Sequence, residues 1–194
     1  MKNFTHNEYR QRVEKTKVSM VKKGIDTLLV ADPANIYYLC GFDAWSFYMP
    51  QCVIISPKLE EPICFVRQMD VGGAYIQTYL KDENIIPYPE KLVHVPPLHP
   101  FEYLVEVIKD KKLDIGTIGL EMDAHYFTAT CYEKLIRGLT NCKFIDSGSL
   151  VNWIRFIKSD TEIKYMRQAA RNVEVGMQAA IDTINVGTRQ CDAA

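Results

Sequence analysis

The chain of 194 residues carries almost no net charge: 23 Lys and Arg stand against 24 Asp and Glu, leaving -1 at pH 7. A surface without a field of one sign has no electrostatic means of recruiting nucleic acid or an anionic membrane, so neither is expected as a partner. No apolar run approaches the roughly 18 residues of a membrane span. The N-terminus, Met1-Lys-Asn-Phe-Thr5-His-Asn-Glu8, lacks the apolar core of a signal peptide. None of the six cysteines, Cys40, Cys52, Cys64, Cys131, Cys142 and Cys191, stands in a C-x-x-C pair, so zinc-ribbon and thioredoxin-type spacings are absent. Most lie among apolar neighbours, as in Cys52-Val-Ile-Ile and Ile63-Cys64-Phe-Val, and read as small buried free thiols. These features together favour a soluble protein of the reducing cytoplasm.

Sequence signatures of familiar chemistry are equally scarce. Asp70-x-Gly72-Gly73 is the only adjacent glycine pair, and it has neither G-x-G-x-x-G spacing nor a Lys-Ser/Thr ending, so a phosphate-binding turn is not indicated. The glycines are expected instead to let a helix approach a sheet. No G-x-S-x-G elbow exists, and no cysteine has a histidine close in sequence. His94 and His99 lie in a proline-rich loop where no regular element would aim both at one metal. Glu121-Met-Asp123-Ala-His125 contains three potential ligands, but Glu121 ends a predicted strand, and capping the next helix is the simpler role for Asp123.

What is present is an alternation of strand and helix signals. Thr5-His-Asn-Glu8 has capping-box spacing and opens a helix with Tyr9, Val13, Met20 and Val21 near one face, ending at Gly24. Ile25-Asp-Thr-Leu28-Leu29-Val30-Ala31 is a largely apolar run, the pattern of a strand covered on both faces. A short helix follows Asp32-Pro33 and ends near Gly41. Cys52–Ile55 and Ile63–Val66 flank a turn-rich link and predict a hairpin. A helix is predicted over 71–80, an edge strand with Pro87 over 85–88, and a helix from Pro100 to about Lys112. Strand, helix, strand and helix then follow at 117–121, 126–138, 143–145 and 149–158. The pattern predicts an α/β layered domain with a mixed sheet.

Gly41-Phe42-Asp43-Ala-Trp45-Ser46-Phe47-Tyr48-Met49-Pro50-Gln51 packs aromatic side chains between a helix and a strand with no clean period. They suit either core packing or the wall of a pocket or interface, because aromatics offer much contact area for little lost rotamer freedom.

The most informative string is Arg155-Phe-Ile-Lys158-Ser159-Asp-Thr-Glu162-Ile163-Lys-Tyr-Met166-Arg167-Gln-Ala169-Ala170. Ser159 and Glu162 have the S-x-x-E spacing of a capping box, which predicts a short helix, a break and a long helix from 160 to about 184. The string resembles the R-x-x-K-S-x-x-E-I-x-x-M-R-x-A-A junction of the creatinase/prolidase family, the pita-bread metallohydrolases. Asp32-Pro33-x-Asn35-Ile-x-Tyr38-Leu39-x-Gly41, Ile118-Gly119-Leu-Glu121 and Phe144-Ile-Asp146 extend the likeness over essentially the whole chain. The Trp45-Ser-Phe47-Tyr48 loop and Val151-Asn152-Trp153 look closest to its creatinase-like and ectoine-hydrolase-like branch.

The resemblance implies a ribonuclease-H-like N-terminal domain over residues 1–158, with a mixed sheet flanked by helices. Residues 159–194 would then be a linker helix and the truncated start of a pita-bread catalytic domain. A chain stopping at Thr188-Arg-Gln-Cys-Asp-Ala-Ala194, where a helix barely begins, is expected to end at a fragment boundary. The implied function is a non-catalytic, substrate-gating and dimerisation domain of a metal-dependent Xaa-Pro dipeptidase or aminopeptidase-like hydrolase. Alternatives are the equivalent domain of an ectoine hydrolase or creatinase-type C–N hydrolase, or of a catalytically dead protein-binding relative. The family's pair of divalent metals (Mn, Zn or Co) is held by two Asp, one His and two Glu of the C-terminal domain, so no metal ligand or catalytic residue is expected in residues 1–194. A homodimer acting on a small peptide, amide or amidine is implied. In the creatinase branch the loop matching Trp45 to Gln51 reaches the partner's active site, where a Phe and an Arg two residues later touch substrate. Phe47 stands at the first position and Met49 at the second, which implies a more apolar contact by Trp45, Phe47 and Met49.

Overall fold

The computed structural model describes residues 4–43, 46 and 48–193, which divide into two compact units, residues 1–155 and 156–194. Up to residue 156, helices α1 (His6–Lys22), α2 (Pro33–Cys40), α3 (Val71–Gln77), α4 (Pro100–Asp110), α5 (Ala129–Gly138) and α6 (Leu150–Phe156) alternate with strands. The strands are β1 (Thr27–Val30), β2 (Cys52–Ile55), β3 (Ile63–Arg67), β4 (Ile85–Tyr88), β5 (Gly116–Leu120) and β6 (Cys142–Asp146).

Local chemistry sets most of these boundaries. The Thr5 hydroxyl accepts the Glu8 N–H at the start of α1. Asp32 caps α2 by accepting the Asn35 N–H at 3.0 Å, Pro33 occupies the first turn, and Gly41 ends the helix at φ 87°. The α4 cap is His99, whose Nδ1 accepts the Phe101 N–H.

The six strands form one mixed sheet in the order β4-β3-β2-β1-β5-β6. β2 is antiparallel to β1 and β3, so the predicted hairpin is present. β5 runs parallel to β1, and β6 parallel to β5. This is the ribonuclease-H-like arrangement, with Pro87 on edge strand β4, where a missing N–H costs no ladder bond. The run around β1 is buried throughout because successive side chains enter opposite cores. Leu28 and Val30 meet α1, α2 and α6 through Val13, Met20, Ile36, Leu39 and Val151. Leu29 meets α4 and α5 through Leu104, Ile108, Cys131 and Leu135.

Three expectations are corrected. The buried face of α1 is Tyr9, Arg12, Val13, Thr16 and Met20, while Val21 is exposed; the helical stripe continues through two polar residues, and Val21 falls one position off it. Helix α5 starts at Ala129 with Thr128 as its cap, so Asp123 does not cap it. Gly72 and Gly73 face open space, with nothing within 4 Å of a Cβ built on either, and do not serve a close approach to the sheet.

Gly116 is required by its conformation. Its φ is 102°, and a Cβ there would collide with the Asp26 carboxylate, which accepts the Thr117 N–H at 2.7 Å. Gly116→Ala is expected to cost about 2–4 kcal/mol in urea denaturation, combining backbone strain with a displaced charged hydrogen bond. Gly24→Ala, at φ 67° with no neighbour within 4 Å, is expected to cost only about 1–2 kcal/mol.

In the second unit, α7 (Asp160–Thr183) begins with the predicted capping box. The Glu162 N–H donates to Ser159 Oγ at 3.2 Å, and the Ser159 N–H to Glu162 Oε2 at 2.8 Å. A short α8 (Gln190–Ala193) follows. Ile163, Met166, Ala170, Val173 and Met177 recur every three or four residues along α7, so the helix has an apolar stripe. Among the described residues, no helix is long and apolar enough to cross a membrane.

Candidate functional site

Strands β1, β5 and β6 are parallel, and at their carboxyl ends the chain places Asp32, Glu121 and Asp146. The crevice at the carboxyl ends of parallel strands is where open α/β sheets collect ligands. Here it is a small cleft lined by Asp32, Asn35, Glu121, Met122, Asp123, Ala124, Asp146, Ser149 and Asn152. Its volume is about 70 Å³, room for about two waters at ~30 Å³ each, and well below the ~300–1,000 Å³ of a typical small-molecule site.

Glu121 is the centre of this cleft and is 6% exposed. Its Oε2 accepts the N–H groups of Ala31 and Asp32, both at 2.8 Å. Its Oε1 accepts Asn35 Nδ2 at 2.6 Å. Burial pushes its pKa above the ordinary carboxylate range, opposed by the hydrogen bonds from Asp32, Asn35 and Ala31 and reinforced by the Asp32 charge. Asn35 Nδ2 also donates to Asn152 Oδ1 at 2.8 Å, and Arg155 Nη1 donates to Asn35 Oδ1 at 2.6 Å. One polar network thus joins the end of β5, the start of α2 and the last turn of α6.

The carboxylates do not fit a metal pair. Both Glu121 oxygens are committed to N–H donors, and Asp32 Oδ1 caps α2. Among the described residues, no group of three or more His, Cys, Asp or Glu is placed to hold a metal. His99 is a helix cap whose pKa is lowered by burial and by Lys134, and His125 stacks edge-on against Tyr126. The buried thiols are poor nucleophiles: burial raises the pKa of Cys52 and Cys131, and a hydrogen bond with Cys40 together with burial raises that of Cys64.

The aromatic loop leaves α2 at Gly41, where a Cβ would lie 2.8 Å from the Tyr9 hydroxyl. Trp45 and Phe47 lie outside the described residues. Met49 is buried at 4% exposure and Tyr48 is 60% exposed. The Ser46 hydroxyl donates to the Asp70 carboxylate, the Asp43 N–H to Gln77 Oε1 at 2.9 Å, and the Met49 N–H to Ser46 O at 2.8 Å. The loop is therefore tied to the 3₁₀ turn and helix that follow β3. Among the described residues, no residue of this loop lines the carboxylate cleft. Asn35 and Glu121 stand in the motifs quoted above, but their union with Asn152 and Arg155 spans up to 120 sequence positions and has no local signal.

A model of the creatinase/prolidase N-terminal domain matches residues 12–157. The chain belongs to the creatinase/prolidase family. Among curated members it is 43% identical over 179 residues to an ectoine hydrolase of Halomonas elongata, covering 92% of this chain and 44% of that protein. It is 41% identical over 192 residues to an uncharacterized hydrolase/peptidase of Sinorhizobium fredii, covering 99% and 49%. The chain spans about half the length of these relatives. The fold superposes on the prolidase of Pyrococcus horikoshii OT3 with a TM-score of 0.72 at 19% identity, over 95% of this chain and 46% of that one. The Pyrococcus furiosus prolidase gives the same TM-score at 20% identity, over 94% and 49%. The creatinase/prolidase fold and the six-stranded sheet thus agree.

Proposed function

We propose that this chain is the non-catalytic N-terminal recognition domain of a metal-dependent C–N hydrolase of the creatinase/prolidase family, closing over the active site and building a homodimer. The observation that carries this reading is that the matched family domain is the N-terminal one, over residues 12–157, in a chain half as long as its relatives. Residues 1–158 would form this domain, and 159–194 the linker helix and beginning of the catalytic domain, whose two divalent metals (Mn, Zn or Co) would supply the hydrolytic chemistry. The apolar stripe of α7 is consistent with a helix that needs a further surface. The location is the cytoplasm.

Two substrate classes fit a C–N hydrolase: Xaa-Pro dipeptides, and small cyclic amidines or amides. The 43% identity to an ectoine hydrolase, against 23% to the Xaa-Pro dipeptidase of Pyrococcus furiosus, favours the second. Turnover of ectoine, creatine and Xaa-Pro dipeptides by the protein carrying this domain, with Mn²⁺, Zn²⁺ or Co²⁺ added, tests the reading. Hydrolysis of at least one is expected, and none by residues 1–194 alone. A loaded protein inert toward all three would overturn it.

Trp45, Phe47 and Met49 are proposed as the substrate-contacting residues of the loop. In the full protein, the double variant Trp45→Ala, Phe47→Ala is expected to lower kcat/KM by about thirtyfold, the scale of losing an aromatic anchor, with an unchanged circular dichroism spectrum. Unchanged kinetics would return both aromatics to packing.

A further inference from the structure

We propose that Glu121, Asn35 and Arg155 form a proton-operated latch on the last turn of α6, with the Asn35 side-chain amide relaying the charge state of Glu121 to the Arg155 guanidinium. An amide has one donating end and one accepting end, so its orientation reports which kind of group lies on each side. An ionised carboxylate can only accept. Asn35 therefore turns Nδ2 toward Glu121 Oε1, at 2.6 Å, and toward Asn152 Oδ1, at 2.8 Å. Its oxygen is thereby aimed at Arg155 Nη1, 2.6 Å away.

Uptake of one proton from water reverses this arrangement. Oε2 is committed to two backbone donors, so the proton settles on Oε1. The new O–H needs an acceptor where Nδ2 stood. Rotation of the amide presents Oδ1 to Glu121 and to Asn152, whose own amide must turn its Nδ2 toward it in place of the present acceptor, and presents Nδ2 to Arg155; two donors then face each other there, and Arg155 loses this acceptor. Arg155 is the last residue of the first unit, so the latch acts on the C-terminal end of that unit.

The surroundings favour proton uptake. Asp32 from the β1–α2 connection, Asp123 from the segment after β5 and Asp146 at the end of β6 line the same cleft, and each negative charge disfavours another. The donors from Asp32, Asn35 and Ala31 oppose protonation, and Arg155, bonded to Asn35 from α6, would act in the same direction. Burial already raises the Glu121 pKa. A carboxyl with a raised folded pKa binds its proton more tightly in the native state than in the unfolded chain. Its ionised form therefore costs stability above the folded pKa, and that cost is relieved as pH falls through it. Coupling is reciprocal: whatever protonation does to the Arg155 contact, the Arg155 contact does to the proton.

The test uses the 194-residue chain, following the Glu121 carboxyl by ¹³C NMR and hydrogen exchange of the amides in 150–157, corrected for intrinsic rates. Protection in α6 is expected to fall about tenfold as pH drops through the Glu121 titration, the scale of one hydrogen bond to a charged group. Glu121→Gln places an N–H donor toward Asn35, as the protonated acid does, and is expected to show the low protection at every pH. Arg155→Met is expected to raise the Glu121 pKa, and this arm decides the matter should Glu121→Gln fail to fold. Wild-type protection independent of pH, Glu121→Gln protection equal to wild type at pH 8, or a Glu121 titration unmoved by Arg155→Met would each overturn the latch. None of these outcomes depends on the hydrolase reading.

Discussion

Replacing Phe65 with alanine is expected to destabilise the first unit by about 3–5 kcal/mol, the range for deleting a fully enclosed aromatic ring. Phe65 is 0% exposed. It sits in β3 opposite Cys52 of β2 and Ile86 of β4, so the cavity would open in the interior of the sheet, where neither neighbour can move without breaking a ladder. Its ring lies 5.1 Å from Tyr88 and 6.4 Å from Phe101, edge-on to the latter. These contacts add to simple burial. Thermal unfolding should fall by about 6–20 °C, at roughly 2–4 °C per kcal/mol for a chain of this size. Phe65→Leu, which retains most of the volume, is expected to cost clearly less than Phe65→Ala. A loss below about 1 kcal/mol for the alanine variant would mean that the core on the α4–α5 side collapses freely and is not packed as described.

The second large effect is expected at Arg12, a charged side chain only 3% exposed. Its guanidinium lies 4.0 Å from the centre of the Phe4 ring and 4.5 Å from that of Tyr38. It donates to Tyr38 O at 3.2 Å and to Glu8 Oε1 at 3.1 Å. The planar fork satisfies both acceptors while its faces meet the rings, which an ammonium cannot do. Arg12→Ala leaves a mostly buried carboxylate and a carbonyl without this partner and empties the space between the rings; about 3–5 kcal/mol is expected. Arg12→Lys is expected to recover only part of it. Glu8→Gln should cost less than either, because the ring contacts and the bond to Tyr38 O persist. Urea denaturation with a constant slope checks the series, and an Arg12→Ala midpoint within error of wild type would contradict it. The consequence reaches function through α2, because Tyr38 lies in the helix that delivers the chain to Gly41 and the aromatic loop.

The contrast between these sites shows what was legible before folding. β1, the β2–β3 hairpin and edge strand β4 were readable because apolar runs and proline placement are local. So were the caps at Thr5 and Ser159, where a side-chain oxygen bonds an N–H within three residues. Arg12 and Thr16 were not readable as core positions, since nothing local says that a polar residue on an apolar stripe will find Phe4, Tyr38 and the Arg12 carbonyl. The Asp123 cap failed for a related reason: α5 starts later than expected, at Ala129, where Thr128 caps it, and Asp123 lines the cleft.

By itself the sequence determined the alternation of elements, the free buried thiols, and the creatinase/prolidase membership carried by short ordered motifs. All of these rest on interactions within a few residues or on patterns along the chain. Only the tertiary structure decided that Asn35, Glu121, Asn152 and Arg155 share one network, because parallel strands β1 and β5 bring their carboxyl ends together and α6 returns across them. A carboxylate's protonation depends on its burial and on the donors facing it, and both are fixed by chain segments distant in sequence.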